Sequence, residues 1–237
     1  MINTNIILNV YKEKSLKSPL STQLLYGDKF RILKKYGKFL KIKTSYDNYT
    51  GYIKNKKFKK NQNSTHKVSI LSANLYSKPN KKFKINKKLS FCSYIEVKGK
   101  KNDFYNFDKY WIKKKNVLPT KKTNLLFSNI KIFQNIKYKW GGNSFKGIDC
   151  SALVQIFYKF NNKFCPRDTK DQIKYFKKVN KIKKNAIIFW RGHVAVCLSK
   201  NNLIHAYGPK KKVLIMNINK TLKLIEETAK LKVIGIR

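Results

Sequence analysis

One stretch constrains this chain more than any other: Tyr138-Lys139-Trp140-Gly141-Gly142-Asn143-Ser144-Phe145-Lys146-Gly147-Ile148-Asp149-Cys150-Ser151-Ala152-Leu153-Val154. Gly141, Gly142 and Gly147 permit tight or positive-φ turns that let backbone approach a ligand, and Asp149 then stands where a helix N-cap belongs. Leu153, Ile156, Phe157 and Phe160 recur at helical spacing, which predicts a helix opening at Cys150 and ending near Asn161-Asn162 with one face buried. Unpaired N–H groups and the positive dipole end at its start favour an anion, which for a cysteine is the thiolate. Taken alone, a cysteine beside an apolar stripe is more often a small core residue.

Two later runs change that balance. Ala186 to Leu198 reads as two short strands around Arg191-Gly192, with His193 opening the second, and Asn202 to Tyr207 puts His205 on a following strand. Nucleophilic cysteine chemistry needs an imidazole to take the thiol proton and return it to the leaving amine, and a third polar group to orient that imidazole. Cys150, His193 and His205 supply those three roles in that order, and the chain holds 3 histidines in all.

Tyr-x-Trp-Gly-Gly, then Asp-Cys-Ser before an apolar helix, then Gly-His-Val and Ile-His-Ala on strands, resembles the NlpC-type cell-wall cysteine peptidases. The run Cys165-Pro166-Arg167-Asp168-Thr169-Lys170-Asp171-Gln172 is similar to one that follows the nucleophile helix in that family. The resemblance implies a papain-like α+β domain over residues 122–237, with Cys150 as nucleophile, His193 as base and His205 as orienting residue. A second helix is expected after Pro166-Arg167, capped by Asp168 or Thr169 and burying Ile173, Phe176 and Val179. Val213 to Met216 and Val233 to Ile236 are expected to complete the sheet.

Before that domain the pattern is of short alternating strands. Residues 1–60 carry Gln23 to Lys34 with a Gly-Asp turn, then Phe39 to Lys43 and Tyr49 to Ile53. Residues 66–118 repeat the layout less clearly, from Ala73 to Pro79 through to Lys109 to Ile112. Both read as small all-β barrels of the bacterial SH3-like kind, joined by the polar stretch Asn61 to Thr65. Two such modules before the peptidase resemble the γ-D-glutamyl-L-diamino acid endopeptidases, which act on murein peptides with a free N-terminal L-Ala. That likeness assigns Tyr138, Asp149 and Ser151 to the pocket for the L-Ala and D-Glu portion, and Tyr49 as a contact from the first module. Asp149 is the acid of the motif and so a partner for the free ammonium, or else a cap alone. The acid expected in the first module is missing at Gln23, with Asp28 the nearest substitute.

Lys plus Arg number 55 against 11 acids, for a net charge of +44. Such charge ordinarily suggests a nucleic-acid or anionic-surface partner. Here the lysines are spread through every segment, so no specific nucleic-acid partner is expected, and codon composition explains the excess more simply. A non-catalytic cell-wall or polyanion-binding SH3-like protein is the alternative reading. The first residues lack a basic leader and no run is long enough to span a membrane, so a cytoplasmic location is expected. Cys92, Cys150, Cys165 and Cys197 show neither zinc spacing nor a dense disulfide framework, and no metal or cofactor is expected. Cys92 and Cys197, in apolar alternating runs, read as core residues; Cys165 is undecided.

Overall fold

Alternation decides the first half of the chain. A computed structural model describes residues 1–237 and divides them into two compact units, Met1–Thr123 and Asn124–Arg237. In the first unit, β1 (Ile7–Tyr11), β2 (Leu20–Leu25), β3 (Phe30–Tyr36), β4 (Phe39–Thr44) and β5 (Thr50–Lys54) pair in the order β2-β1-β5-β4-β3. Because successive side chains point to opposite faces, Leu8 and Val10 of β1 and Leu40 and Ile42 of β4 meet Leu24, Phe30 and Ile53 in one core. Their lysine neighbours are left outside.

The remaining strands of this unit are β6 (His66–Val68), β7 (Ser72–Tyr76), β8 (Lys84–Ser90), β9 (Tyr94–Ile95), β10 (Gly99–Lys101), β11 (Phe104–Phe107), β12 (Tyr110–Lys113) and β13 (Val117–Pro119). They form a sheet in the order β10-β11-β12-β7-β8 and a smaller one in the order β13-β6-β9. Their shared core holds Val68, Ala73, Leu75, Leu89, Ile95, Phe107, Ile112 and Val117, and also Tyr26 from the first strand set. Tyr26 enters that core through a close approach. A Cβ at Gly27, whose φ is +84°, would lie 2.1 Å from the Tyr94 carbonyl oxygen. The two strand sets therefore share packing rather than meeting only through the polar stretch at 61–65.

In the second unit a two-stranded hairpin, β14 (Asn143–Ser144) with β15 (Gly147–Ile148), leads directly into α1 (Cys150–Phe160). After α2 (Thr169–Tyr175) come β16 (Ile187–Trp190), β17 (His193–Cys197), β18 (Asn202–Tyr207), β19 (Lys212–Asn217), α3 (Ile218–Ala229) and β20 (Val233–Ile236). The antiparallel sheet runs β19-β18-β17-β16-β20, and α1 packs on β17 and β18. β16 and β17 are buried along their whole length, unlike the half-exposed strands of the first unit.

Three features differ from the sequence reading. α2 stops at Tyr175 and buries only Gln172; Phe176 is its C-cap, and Val179 lies beyond it with its N–H on the Ile236 carbonyl at 3.1 Å. α3 was not expected, although Ile218, Leu222 and Ile225 recur at helical spacing; Ile218, Thr221 and Ile225 are buried, and Leu222 and Leu224 pack partly against the same core. Cys92 is fully buried as expected but sits at φ 66° in the turn after β8, not within a strand. All four cysteines are buried and none forms a disulfide, and Cys92, Cys165 and Cys197 are completely buried.

Candidate active site

Helix α1 begins where the glycine turn ends. Gly141 has a φ of +67°, and a Cβ on Gly142 would lie 2.6 Å from the Gly147 carbonyl oxygen and 2.8 Å from that of Lys139, so no side chain fits there. Asp149 caps α1: its φ and ψ are extended, −96° and 175°, and its Oδ1 accepts from the Ala152 N–H at 2.8 Å.

The same carboxylate is heavily engaged. Oδ2 accepts from the Gly141 N–H at 3.0 Å and from Arg167 Nη2 at 2.5 Å, while Oδ1 accepts from Arg167 Nη1 at 3.0 Å and from the Ser151 hydroxyl at 3.2 Å. Arg167 Nη1 also donates to Ser151 Oγ at 2.9 Å. A carboxylate offers about four lone-pair sites, and these donors already occupy them. Arg167 was read from sequence only as part of the run that resembles the family and was given no role; that Pro-Arg run was the signal, but its burial against Asp149 depends on tertiary packing. Gln172 adds a further tie, its Nε2 donating to the carbonyls of Ser151 at 3.0 Å and Pro166 at 2.9 Å.

Cys150 is 6% exposed and its Sγ donates to the Gly192 carbonyl at 3.9 Å, which puts the sulfur beside the turn leading into His193. Burial, and then the negative charge of Asp149, push its thiol up to about 12; backbone N–H groups of Val194 and Ser151 and the Arg167 charge oppose this. The helix start alone suggests a thiolate. In the folded protein, desolvation outweighs that dipole and the resting group is the thiol.

His193 Nε2 and His205 Nδ1 lie 2.9 Å apart. Strand pairing sets this distance, because β17 and β18 are neighbours and the two rings lie among Trp190 and Tyr207. Tyr207 stacks on His205 at 5.1 Å with planes 16° apart. Burial, and then His205, lower His193 to about 3, and burial lowers His205 to about 4, so both rings are neutral near pH 7. His205 Nε2 is buried with no hydrogen-bond partner.

Of the other residues singled out from sequence, Tyr138 lies near Cys150 and Asp149. Its phenol is raised by burial and by the nearby Cys150 and Asp149 charges, and its ring packs 3.5 Å from where a Gly208 Cβ would stand. Ser151 lies between Asp149 and Arg167. Tyr49 belongs to the other unit, on the turn before β5, where its N–H donates to Thr44 Oγ1 at 2.9 Å. In the same unit Gln23 is bonded to Asn9 Oδ1 at 2.9 Å, and Asp28 Oδ2 accepts from the Leu25 N–H at 2.9 Å. No group of three or more His, Cys, Asp or Glu residues is placed to hold a metal ion.

Comparison with known proteins gives this arrangement a family. Residues 135–226 match the NlpC/P60 family and residues 10–58 match the bacterial dipeptidyl-peptidase SH3 domain. The chain is similar to a γ-D-glutamyl-L-lysine dipeptidyl-peptidase of Bacillus cereus, 27% identical over 89% of this chain and 74% of that protein. A protein of the same name from Bacillus subtilis is 23% identical over 86% and 77%. The fold of this chain is like that of an NlpC/P60 family protein from Bacillus cereus in a crystal structure, with a TM-score of 0.85 at 21% identity over 100% and 98% of the two chains. The chain carries a cysteine peptidase domain of the NlpC/P60 family, and a bacterial dipeptidyl-peptidase SH3 domain precedes it in the sequence.

Proposed function

We propose that this protein is a cysteine endopeptidase that hydrolyses the γ-D-glutamyl to L-diamino acid bond of peptidoglycan-derived peptides with a free N-terminal L-Ala. The observation that carries the reading is the Cys150 sulfur against the Gly192 carbonyl, one residue from an imidazole that is itself held by His205 at 2.9 Å. With Nε2 of His193 tied to His205, Nδ1 is the nitrogen that takes the Cys150 proton. The sulfur attacks the γ-glutamyl carbonyl carbon, and the oxyanion is held by N–H groups at the start of α1, including that of Cys150. His193 then gives its proton to the leaving amine. Water attacks the thioester with His193 again as base, releasing the dipeptide and restoring the thiol.

The two Bacillus relatives, named as γ-D-glutamyl-L-lysine dipeptidyl-peptidases, support the bond and the release of a dipeptide from a free N-terminus. Tyr138, Asp149 and Ser151 line the L-Ala and D-Glu side. Because the Asp149 lone pairs are taken by Arg167 and two backbone N–H groups, its contribution to the ammonium is through potential and through placing Tyr138 and Ser151 rather than through a vacant acceptor. The proposed layout is one SH3-like module at 1–60, a second at 66–118 and the peptidase at 122–237. No helix is long and apolar enough to cross a membrane.

The test is mass spectrometry of products from L-Ala-γ-D-Glu-diaminopimelate and its N-acetylated form, with wild type and Cys150→Ala. Release of L-Ala-γ-D-Glu by wild type only, from the free peptide only, is expected. Cleavage of both peptides removes the free-amine requirement, and turnover by the variant removes Cys150 from its role.

A further inference from the structure

We propose that Arg191 binds a carboxylate of the leaving diamino acid and so makes the enzyme choose among murein peptides by the charge of that residue. This rests on the endopeptidase reading above, because it uses the position that reading gives the leaving group. A histidine that returns a proton to the leaving amine must lie beside that nitrogen, so the diamino acid sits over His193. His193 pairs with Trp190 across a two-residue turn made of Arg191 and Gly192. Trp190 is 1% exposed and His193 9%, whereas both turn residues are exposed. A Cβ on Gly192 would meet nothing within 4 Å, so the apex faces open space, while the Gly192 carbonyl touches the Cys150 sulfur at 3.9 Å. Arg191 is therefore one residue from the reacting sulfur's contact and two from the proposed acid.

Residue type strengthens the case. Arg31, Arg167, Arg191 and Arg237 are the arginines among 55 basic residues, so lysine is this chain's default cation. Arginine's planar fork of donors is suited to a carboxylate in a way that an ammonium is not. Two of the other arginines use the fork: Arg167 grips Asp149 with both Nη atoms, and Arg237 donates from Nε to the Ile173 carbonyl at 2.8 Å and from Nη1 to that of Ile236 at 3.1 Å. The guanidinium of Arg191 makes no hydrogen bond or ion pair inside the protein. The ligand chemistry that fits it is a carboxylate on the leaving residue, either the α-carboxylate of a peptide ending there or a side-chain carboxylate.

The test compares kcat/KM of wild type, Arg191→Gln and Arg191→Lys on four peptides. These are L-Ala-γ-D-Glu-L-Lys with a free terminus, its C-terminal amide, the diaminopimelate peptide amidated at its α-carboxyl, and the free-terminus peptide carrying an α-amide on D-Glu. Wild type is expected to prefer a carboxylate-bearing leaving residue over the neutral amide by about tenfold or more, the scale of a charge-assisted bond. Arg191→Gln should bring that ratio to within about twofold, with Arg191→Lys between. Preference for the free terminus assigns the α-carboxylate, and preference for the amidated diaminopimelate peptide assigns the side chain. An equal ratio in wild type and Arg191→Gln overturns the proposal, as does a loss that follows the D-Glu carboxylate instead. Should wild type cleave none of the four, the endopeptidase reading itself fails, which is a different outcome from an unchanged ratio.

Discussion

Replacing Arg167 by methionine should destabilise the peptidase unit by about 3–5 kcal/mol, the usual cost of removing one partner of a buried ion pair. The structure supports the upper part of that range. The side chains of Arg167 and Asp149 are 2% and 8% exposed, so water cannot replace the lost donors. The substitution removes two bonds to Asp149 and one to Ser151, leaving the buried carboxylate with the Gly141 and Ala152 N–H groups and the Ser151 hydroxyl. Urea unfolding followed by tryptophan fluorescence is the assay. With a slope of about 2 kcal/mol per molar for a unit of this size, the midpoint should fall by about 2 M. Asp149→Asn keeps the cap acceptor but strands the guanidinium, so it too should be costly. In the double variant no charge is left stranded, and its loss should be less than the sum of the single losses by about 2 kcal/mol or more. A loss below about 1 kcal/mol for Arg167→Met, or simple additivity in the cycle, would refute the claim that this pair holds the start of α1 in place.

Three further outcomes follow from the same geometry. On the proposed roles, His205→Ala removes orientation rather than proton transfer and should lower kcat less than His193→Ala; single-turnover rates showing the reverse order would exchange the two roles. Alkylation of Cys150 by iodoacetamide, measured against Cys150→Ala, should rise about tenfold per pH unit from pH 7 to 9 without levelling, because the thiol is pushed up to about 12. A plateau near neutrality would show a resting thiolate. Acid should weaken the fold: His193 and His205 are lowered to about 3 and about 4 from an ordinary value near 6.5, so the unfolded chain binds more protons between those values. Their contribution is full above about pH 6.5 and falls as pH drops, by about 2 kcal/mol each at pH 5. Urea midpoints at pH 7.5 and 5 should show this, and His205→Asn should flatten the dependence.

Local pattern made much of this protein legible. The 3.6-residue spacing after Asp149 and the cap itself located α1 to its first residue, since both depend on neighbours within a turn or two. The same holds for Arg191-Gly192 as a turn between β16 and β17, and for the alternating strands around Leu40 and Ile53. What local pattern does not carry is the electrostatic state of a group, which depends on everything packed around it. The helix start alone points to a Cys150 thiolate, yet burial and the Asp149 carboxylate make it a thiol. Asp149 read as an acid available to an ammonium, yet Arg167, 18 residues away in sequence, occupies it. Tyr26 belongs by sequence to the first strand set and by packing to the second core. Sequence by itself determined which residues the chemistry has to work with and which elements carry them. Tertiary structure decided their partners, because desolvation and Coulomb interactions depend on distance through space, and chain separation says little about that.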